Sequence, residues 1–241
     1  MSAASSDDDT GPDLPPAAVA AAERHGVPLG PDAPVMEVMR TMRRLRPDPV
    51  PRELLIELLD AATWAPTGGN SQTYGYLIVD DREAIHRCGE LWRRHQRFYS
   101  ASQEPLTPRF STREKWRELH DTLRYQAERF DETPALVVFT CDLLETYLKA
   151  MLRVLAHLPR FMIQGESSSI YPGVENFLIA ARAHGLAATL TTWHMLLEPD
   201  WRRARGLPRR TKIFAVVPVG WPAGHFGPVA RRPASAVTRI L

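Results

Sequence analysis

Three short segments of the 241-residue chain carry side chains suited to holding a polar, planar ligand. Arg40-Thr41-Met42-Arg43 sets two guanidinium groups three residues apart with a hydroxyl between them, and on a helix such positions share a face. Planar guanidinium donors suit a phosphate or a ring that gains negative charge, each charge-assisted hydrogen bond contributing roughly 1.5–3 kcal/mol. A solvated basic helix end is the plainer reading of the same residues. In Ala65-Pro66-Thr67-Gly68-Gly69-Asn70-Ser71-Gln72 the glycines let backbone approach a ligand, while Thr67, Asn70 and Gln72 offer donors and acceptors together. An ordinary turn uses the same residue types. Ser167-Ser168-Ser169-Ile170-Tyr171-Pro172-Gly173 precedes a helical pattern from Val174 to His184. A helix N-terminus there would present unpaired N–H groups to an anion or an electron-rich ring atom, or would simply be capped by a serine such as Ser169.

Other chemistries find less support. His86, Cys88 and His95 lack a metal-ligand spacing, and His194 with Glu198 lacks the second histidine of a helical zinc site, so no metal is expected. The serines at 167 to 169 are not in a Gly-x-Ser-x-Gly elbow, and no Gly-x-Gly-x-x-Gly follows a strand. The two cysteines, Cys88 and Cys141, make no disulfide framework and read as buried or unpaired thiols. Thirty basic residues against twenty-eight acidic ones give a net charge of +2, a balance that argues against a nucleic-acid partner. The local basic clusters, at Arg40 to Arg46, Arg202 to Lys212 and Arg231-Arg232, suit a small anion instead.

These segments need elements to position them. Residues 1–33, rich in Ala, Pro and Asp, read as a loose arm with at most a short helix from Ala17 to His25, and residues 34–241 read as one domain. Val35, Val38, Met39, Met42 and Leu45 have helical spacing, stopped by Pro47 and Pro49. A second helix runs from Pro51 to about Trp64, and Ala65 to Gln72 is the loop that ends it. Tyr74 to Val79 is a strand. Ile85 to Phe130 is a polar helical excursion broken near Pro105 and Pro108, read as a lid or a dimer-covering element. A strand from Ala135 to Cys141, a helix from Leu143 to about Leu158, a loop from Gln164 to Tyr171 and a helix from Pro172 to His184 follow. The remainder reads as a strand from Leu186 to Thr192, a helix near Pro199 to Arg205 and a strand from Ile213 to Val219. Alternating strands and helices point to a sheet with helices packed on it.

With 44% apolar and 24% charged residues, the composition is that of a soluble globular protein. Asp142 to Ile163 is the nearest thing to a membrane span, but Glu145, Lys149, Arg153, His157 and Arg160 recur through it, so no membrane partner is expected. The N-terminus has no basic start before an apolar stretch, and the default expectation is a cytoplasmic location.

Taken in order, the three segments resemble the nitroreductase family of FMN-dependent enzymes from about Val35 to the C-terminus. The resemblance rests on Met39 to Arg43, on Ala65 to Tyr74, and on Asn176-Phe177-Leu178-Ile179-Ala180-Ala181-Arg182-Ala183-His184-Gly185-Leu186. It implies an α+β fold, a mixed β-sheet flanked by helices in an intertwined homodimer, with FMN at the interface. It also implies ping-pong hydride transfer from NAD(P)H, through FMN N5, to a nitroaromatic, a quinone or a similar small electron-poor acceptor. By the same resemblance Arg40, Thr41 and Met42 lie along the ribityl phosphate, and Arg43 near the pyrimidine edge. Thr67, Gly68, Asn70 and Gln72 reach the ribityl side from the partner subunit. The run Ile170, Tyr171, Pro172 and Gly173 presents backbone N–H to N5 from its residues other than the proline, Leu190 and Thr191 line the flavin, and Arg231 and Arg232 form a second phosphate clamp. The chemistry is the flavin's, with Arg43 polarising it, and no acid or base residue is named. Met39 stands where many members have a first arginine. A non-catalytic flavin-binding protein, or a flavin-dependent dehydrogenase or dehalogenase, fits the same motifs.

Overall fold

Leu54, Leu55, Leu58, Leu59 and Ala62 repeat at the spacing of one helix face, and they are the buried side of α1, Arg52–Thr63. The computed structural model describes residues 35, 39–103, 112–142, 158–225 and 233–240. Pro51 stands at the N-cap of α1, where its missing N–H costs nothing. After the loop comes β1, Tyr74–Val79, and then α2, Arg82–Gln103, which begins where the Asp81 carboxylate accepts the Ala84 N–H at 2.9 Å. Thr112 caps α3, Arg113–Glu128, in the same way, its Oγ1 accepting from the Lys115 N–H at 3.3 Å. The excursion is thus two helices, with residues 104–111 outside the described set. The remaining elements are β2 (Ala135–Asp142), α4 (Leu158–Ala183), β3 (Ala187–Ala188), α5 (Glu198–Ala204) and β4 (Thr211–Gly220).

The strands lie in the order β1-β2-β4-β3. Every pairing among the described residues is antiparallel. β2 and β4 are buried on both faces because helices cover both. On one face α1 and α4 pack over Val137, Phe139, Val217 and Val219. On the other, Ile85 and Trp92 of α2, Phe130 and Trp201 of α5 pack over Leu136, Val138, Ile213 and Val216. Large apolar side chains buried this fully contribute about 1.5–3 kcal/mol each. No helix among the described residues is long and apolar enough to cross a membrane.

Two sequence expectations are overturned. Residues 39–44 are not helical: the Met42 N–H donates to the Ala188 carbonyl at 3.4 Å, the Arg46 N–H to Trp221 at 2.8 Å, and Leu45 bridges Pro222. Met39, Met42 and Leu45 have helical spacing, and the Met39 N–H still donates to the Val35 carbonyl at 2.8 Å, but from Met42 onward the chain exchanges intrahelical bonds for bonds to the sheet and the segment that follows it. The loop expected from Gln164 to Tyr171 is also absent, since α4 runs unbroken through it with Pro172 inside the helix. Ser168 and Ser169 donate from Oγ to the Gly165 carbonyl at 2.7 and 3.2 Å, which accommodates the serines in helical backbone. Burial of Ile170, Val174, Phe177, Leu178 and Ala181 along one stripe outweighs the local turn signals. The expected strand at 186–192 shrinks to β3 and an isolated bridge from Thr191 to Val216. The N-terminal arm and the helix read at 143–158, apart from its last residue, lie outside the described residues.

Candidate functional site

Where the extended segment at 39–44 passes β3, it forms one wall of a cavity of about 160 Å³. Arg43, Thr189, Leu190, Thr191, Thr192 and Trp193 line it from the sheet side, and Trp92 of α2 with Leu123 and Gln126 of α3 line it opposite. The register of the two strand-side segments is fixed by the Thr189 hydroxyl, which donates to the Met42 carbonyl at 2.8 Å. The Thr191 Oγ1 accepts the Trp193 N–H at 3.3 Å, turning the chain into a short 3-10 segment, Trp193–Leu197.

The cavity holds one cation and buried polar atoms without partners. Arg43 is partly buried, which holds its pKa below the usual value, with the nearby Tyr99 acting in the opposite sense. Among the described residues no carboxylate forms an ion pair with it. Gln126 is 5% exposed and its Oε1 is shielded from water without a donor; Trp92 is 2% exposed and its Nε1 has no acceptor. Each such group costs about 1–3 kcal/mol while unsatisfied. A neighbouring cleft shares Arg43 and Gln126 and adds Leu45, Tyr125, Arg129, Glu132 and Thr133. There the Arg44 and Arg129 guanidinium groups lie 5.0 and 5.3 Å from the Tyr125 ring centre.

The loop after α1 is a second assembly. The Gly68 N–H donates to the Ser169 Oγ of α4 at 3.0 Å, tying the loop to the helix. Within it the Gln72 N–H donates to Thr67 Oγ1 at 3.2 Å and the Gln72 side-chain amide to Asn70 Oδ1 at 3.2 Å. Asn70 and Gln72 both have positive φ, 52° and 49°, a backbone state that side chains disfavour and that functional loops retain. Gly68, Asn70 and Gln72 are exposed, Thr67 is half-buried, and none of them lines the cavity.

The structure therefore brings Arg43, Leu190 and Thr191 together in the cavity, with Met42 joined to Thr189 beside it. Arg40 and Thr41 are exposed and outside the cavity lining, and the shared helix face expected for Arg40 and Arg43 does not exist. Thr67, Gly68, Asn70 and Gln72 gather in their own loop. Ile170, Tyr171, Pro172 and Gly173 are a correction: they lie in the interior of α4, not at a helix N-terminus, so the expected set of free N–H groups is not there. Ile170 is 2% exposed, the Tyr171 hydroxyl donates to the Phe214 carbonyl at 3.0 Å, and Gly173 packs against the Ala62 carbonyl. Arg231 and Arg232 lie outside the described residues.

Sequence reading missed Trp92, Gln126, Thr189 and Trp193. Gln126 did leave a signal, a polar residue set at helical spacing beside the buried Leu123 and Ala127 of an otherwise polar helix. Cys88 and Cys141 are buried thiols, and burial pushes Cys88 up to about 11. His194 is a core residue, its Nε2 donating to the Ile213 carbonyl at 2.8 Å. Among the described residues no three metal-ligating side chains gather.

The family model for the nitroreductase family matches residues 38–221, a span that includes the cavity-lining segments, the Thr67–Gln72 loop and all four strands. The chain belongs to the nitroreductase family. Among this nitroreductase-family chain's relatives is iodotyrosine deiodinase of Danio rerio, 24% identical over 78% of the chain and 59% of the deiodinase. The chain thus spans about three fifths of the deiodinase's length. Another is 5,6-dimethylbenzimidazole synthase of Rhodospirillum rubrum, 27% identical over 76% of the chain and 78% of the synthase. A solved structure of oxidized iodotyrosine deiodinase bound to FMN and 3-iodo-L-tyrosine aligns with a TM-score of 0.61 at 19% identity. It covers 83% of this chain and 94% of that one, which shows a shared nitroreductase-like fold of helices on an antiparallel sheet.

Proposed function

We propose that this nitroreductase-family chain is an FMN-dependent oxidoreductase that takes hydride from NAD(P)H and delivers it to a small electron-poor acceptor such as a nitroaromatic or a quinone. The observation that carries the reading is Arg43, a partly buried cation with no carboxylate partner among the described residues, sharing its cavity with the unsatisfied Oε1 of Gln126. A flavin pyrimidine edge alternates carbonyl oxygens with an N–H, and the residues present fit it: Gln126 Oε1 accepts from an N–H, and Arg43 donates to a carbonyl. FMN, when bound, supplies the hydride-accepting and hydride-donating centre at N5.

The chain's own residues do the rest. Arg43 opposes the negative charge that develops on the ring edge during reduction, an electrostatic effect strengthened by partial burial. Thr189 holds the Met42–Arg43 backbone against β3, so the guanidinium meets the edge without reorganising. Leu190, Thr191 and Thr192 line the cavity and would provide a surface for the ring. Arg40 and Thr41, exposed on the same segment, would hold the phosphate.

The Thr67–Gln72 loop belongs to a different place on the chain, and the cavity alone is smaller than FMN. Both facts favour a homodimer in which the loop of one subunit completes the cavity of the other. The FMN bound in the solved deiodinase supports the cofactor assignment, and the family supports the redox chemistry. The test is anaerobic stopped-flow mixing of the FMN-loaded protein with NADH or NADPH, then with a nitroaromatic or a quinone. Bleaching of the flavin band by one nicotinamide and its return with acceptor is the expected course. A flavin that neither nicotinamide reduces would leave a flavin-binding protein and overturn the enzymatic reading.

A further inference from the structure

We propose that the small cleft behind Arg43, next to the cavity, is a binding site for a monatomic anion such as chloride. The site is a property of the chain with or without a flavin, and only its effect on the flavin rests on the oxidoreductase reading.

Arg43 lines the cleft from the extended segment, Tyr125 and Gln126 from α3, and Arg129, Glu132 and Thr133 from the residues between α3 and β2. Its open space is about 10 Å³, enough for one water-sized occupant. Two of the lining side chains are guanidinium groups, and a third, that of Arg44, stands 5.0 Å from the centre of the Tyr125 ring. Arg129 stands 5.3 Å from the same ring, so one aromatic side chain gathers both cations at the cleft. Against these three cations the lining offers one carboxylate, Glu132, and Arg129 Nη1 already donates to both of its oxygens, at 3.1 and 3.3 Å. Among the described residues no carboxylate forms an ion pair with Arg43 or Arg44.

Charge and size together define the ligand. Like charges gathered about a confined space repel one another, and an anion among them replaces repulsion with attraction. The same excess of cations excludes a metal ion, and the open space excludes a phosphate or a sulfate, so the cleft is not a seat for the flavin's phosphate. The donors are at hand. A guanidinium carries five N–H groups in one plane, so Arg43 can turn some to the cavity and others to the cleft. The Gln126 amide adds N–H donors, and Tyr125 and Thr133 each add a hydroxyl. An anion held there is also a counter-charge to Arg43, and it makes a flavin in the cavity harder to reduce.

The experiment titrates the full-length protein into chloride at fixed ionic strength, with bromide or sulfate as competitor, and reads binding from broadening of the chloride NMR signal. The expected result is saturable broadening that bromide reverses and sulfate does not. Sulfate is drawn to any basic surface but does not fit the cleft, so it separates the site from general attraction. Arg129→Gln should weaken chloride binding roughly tenfold, and Glu132→Gln, which removes the competing carboxylate, should tighten it about threefold. Should Arg129→Gln fail to fold, Glu132→Gln decides alone. Absence of broadening, reversal by sulfate as effective as by bromide, or a wild-type response in either variant overturns the proposal. With FMN bound, the midpoint potential of the wild type should be lower in chloride than in sulfate at equal ionic strength, and that of Arg129→Gln the same in both. Equal wild-type potentials overturn the effect on the flavin. If the protein takes up no FMN the function proposed above fails separately, and the broadening still decides the site.

Discussion

Arg43 carries the largest share of the account, and its role predicts a change in potential. Removing a cation that stabilises a reduced, more negative ring makes reduction harder. Arg43→Ala should lower the flavin midpoint potential by roughly 30–65 mV, taking ~1.5–3 kcal/mol for the lost charge-assisted bond and ~30 mV per 1.4 kcal/mol for a two-electron couple. Spectroelectrochemistry with a reference dye measures it, and an unchanged potential removes the role. A second residue-scale prediction concerns His194, 1% exposed, whose pKa burial pushes down to about 4. The unfolded chain binds this proton more readily than the folded one, so the stability it contributes is fully present above about pH 6.5 and is lost as pH falls toward 4. The change is on the order of 3 kcal/mol. Urea unfolding between pH 4.5 and 7.5 should show the slope, and His194→Gln should flatten it. Of these two residues, Arg43 was singled out for a helix face that the structure does not form, because the segment 39–44 bonds to the sheet edge instead. His194 was legible only as a non-ligand, because nothing local records that Ile213 supplies its acceptor from another strand.

At the scale of elements, α4 is where local signals and tertiary packing part. Three serines, Gly165 and Pro172 spell a loop, but the helix continues because its buried stripe packs against α1 and the sheet. Gly173 marks the closest approach, since an added Cβ would meet the Ala62 carbonyl oxygen at 3.0 Å. Gly173→Ala should therefore destabilise the fold by about 1–3 kcal/mol through overpacking, seen as a lower Tm, although alanine is the better helix former. Ser169→Ala separates packing from loop placement. It removes the acceptor for the Gly68 N–H, so it should cost about 1 kcal/mol of stability and weaken FMN binding several-fold by freeing the Thr67–Gln72 loop. Calorimetry with a parallel FMN titration checks both, and unaltered FMN affinity would detach the loop from the site. The strands at 74–79, 135–142 and 211–220 were legible because their apolar runs are short and bounded by turn residues. The segment 39–44 was not, because three apolar residues at helical spacing also serve an extended strand that crosses a sheet edge.

For the whole molecule, the order and spacing of the three segments identified the family, although each alone had an ordinary reading. They did not reveal that the cavity and the loop are separate assemblies within one chain, since separation in space leaves no mark on spacing in sequence. The central claim is that these assemblies come together as a flavin seat. A titration of the purified protein with FMN, followed by visible absorbance and run beside sedimentation to fix the assembly state, tests it most directly. The account predicts a yellow dimer saturating at one FMN per chain, with roughly tenfold weaker binding in Gln126→Leu. A protein that stays colourless after FMN is added would contradict it.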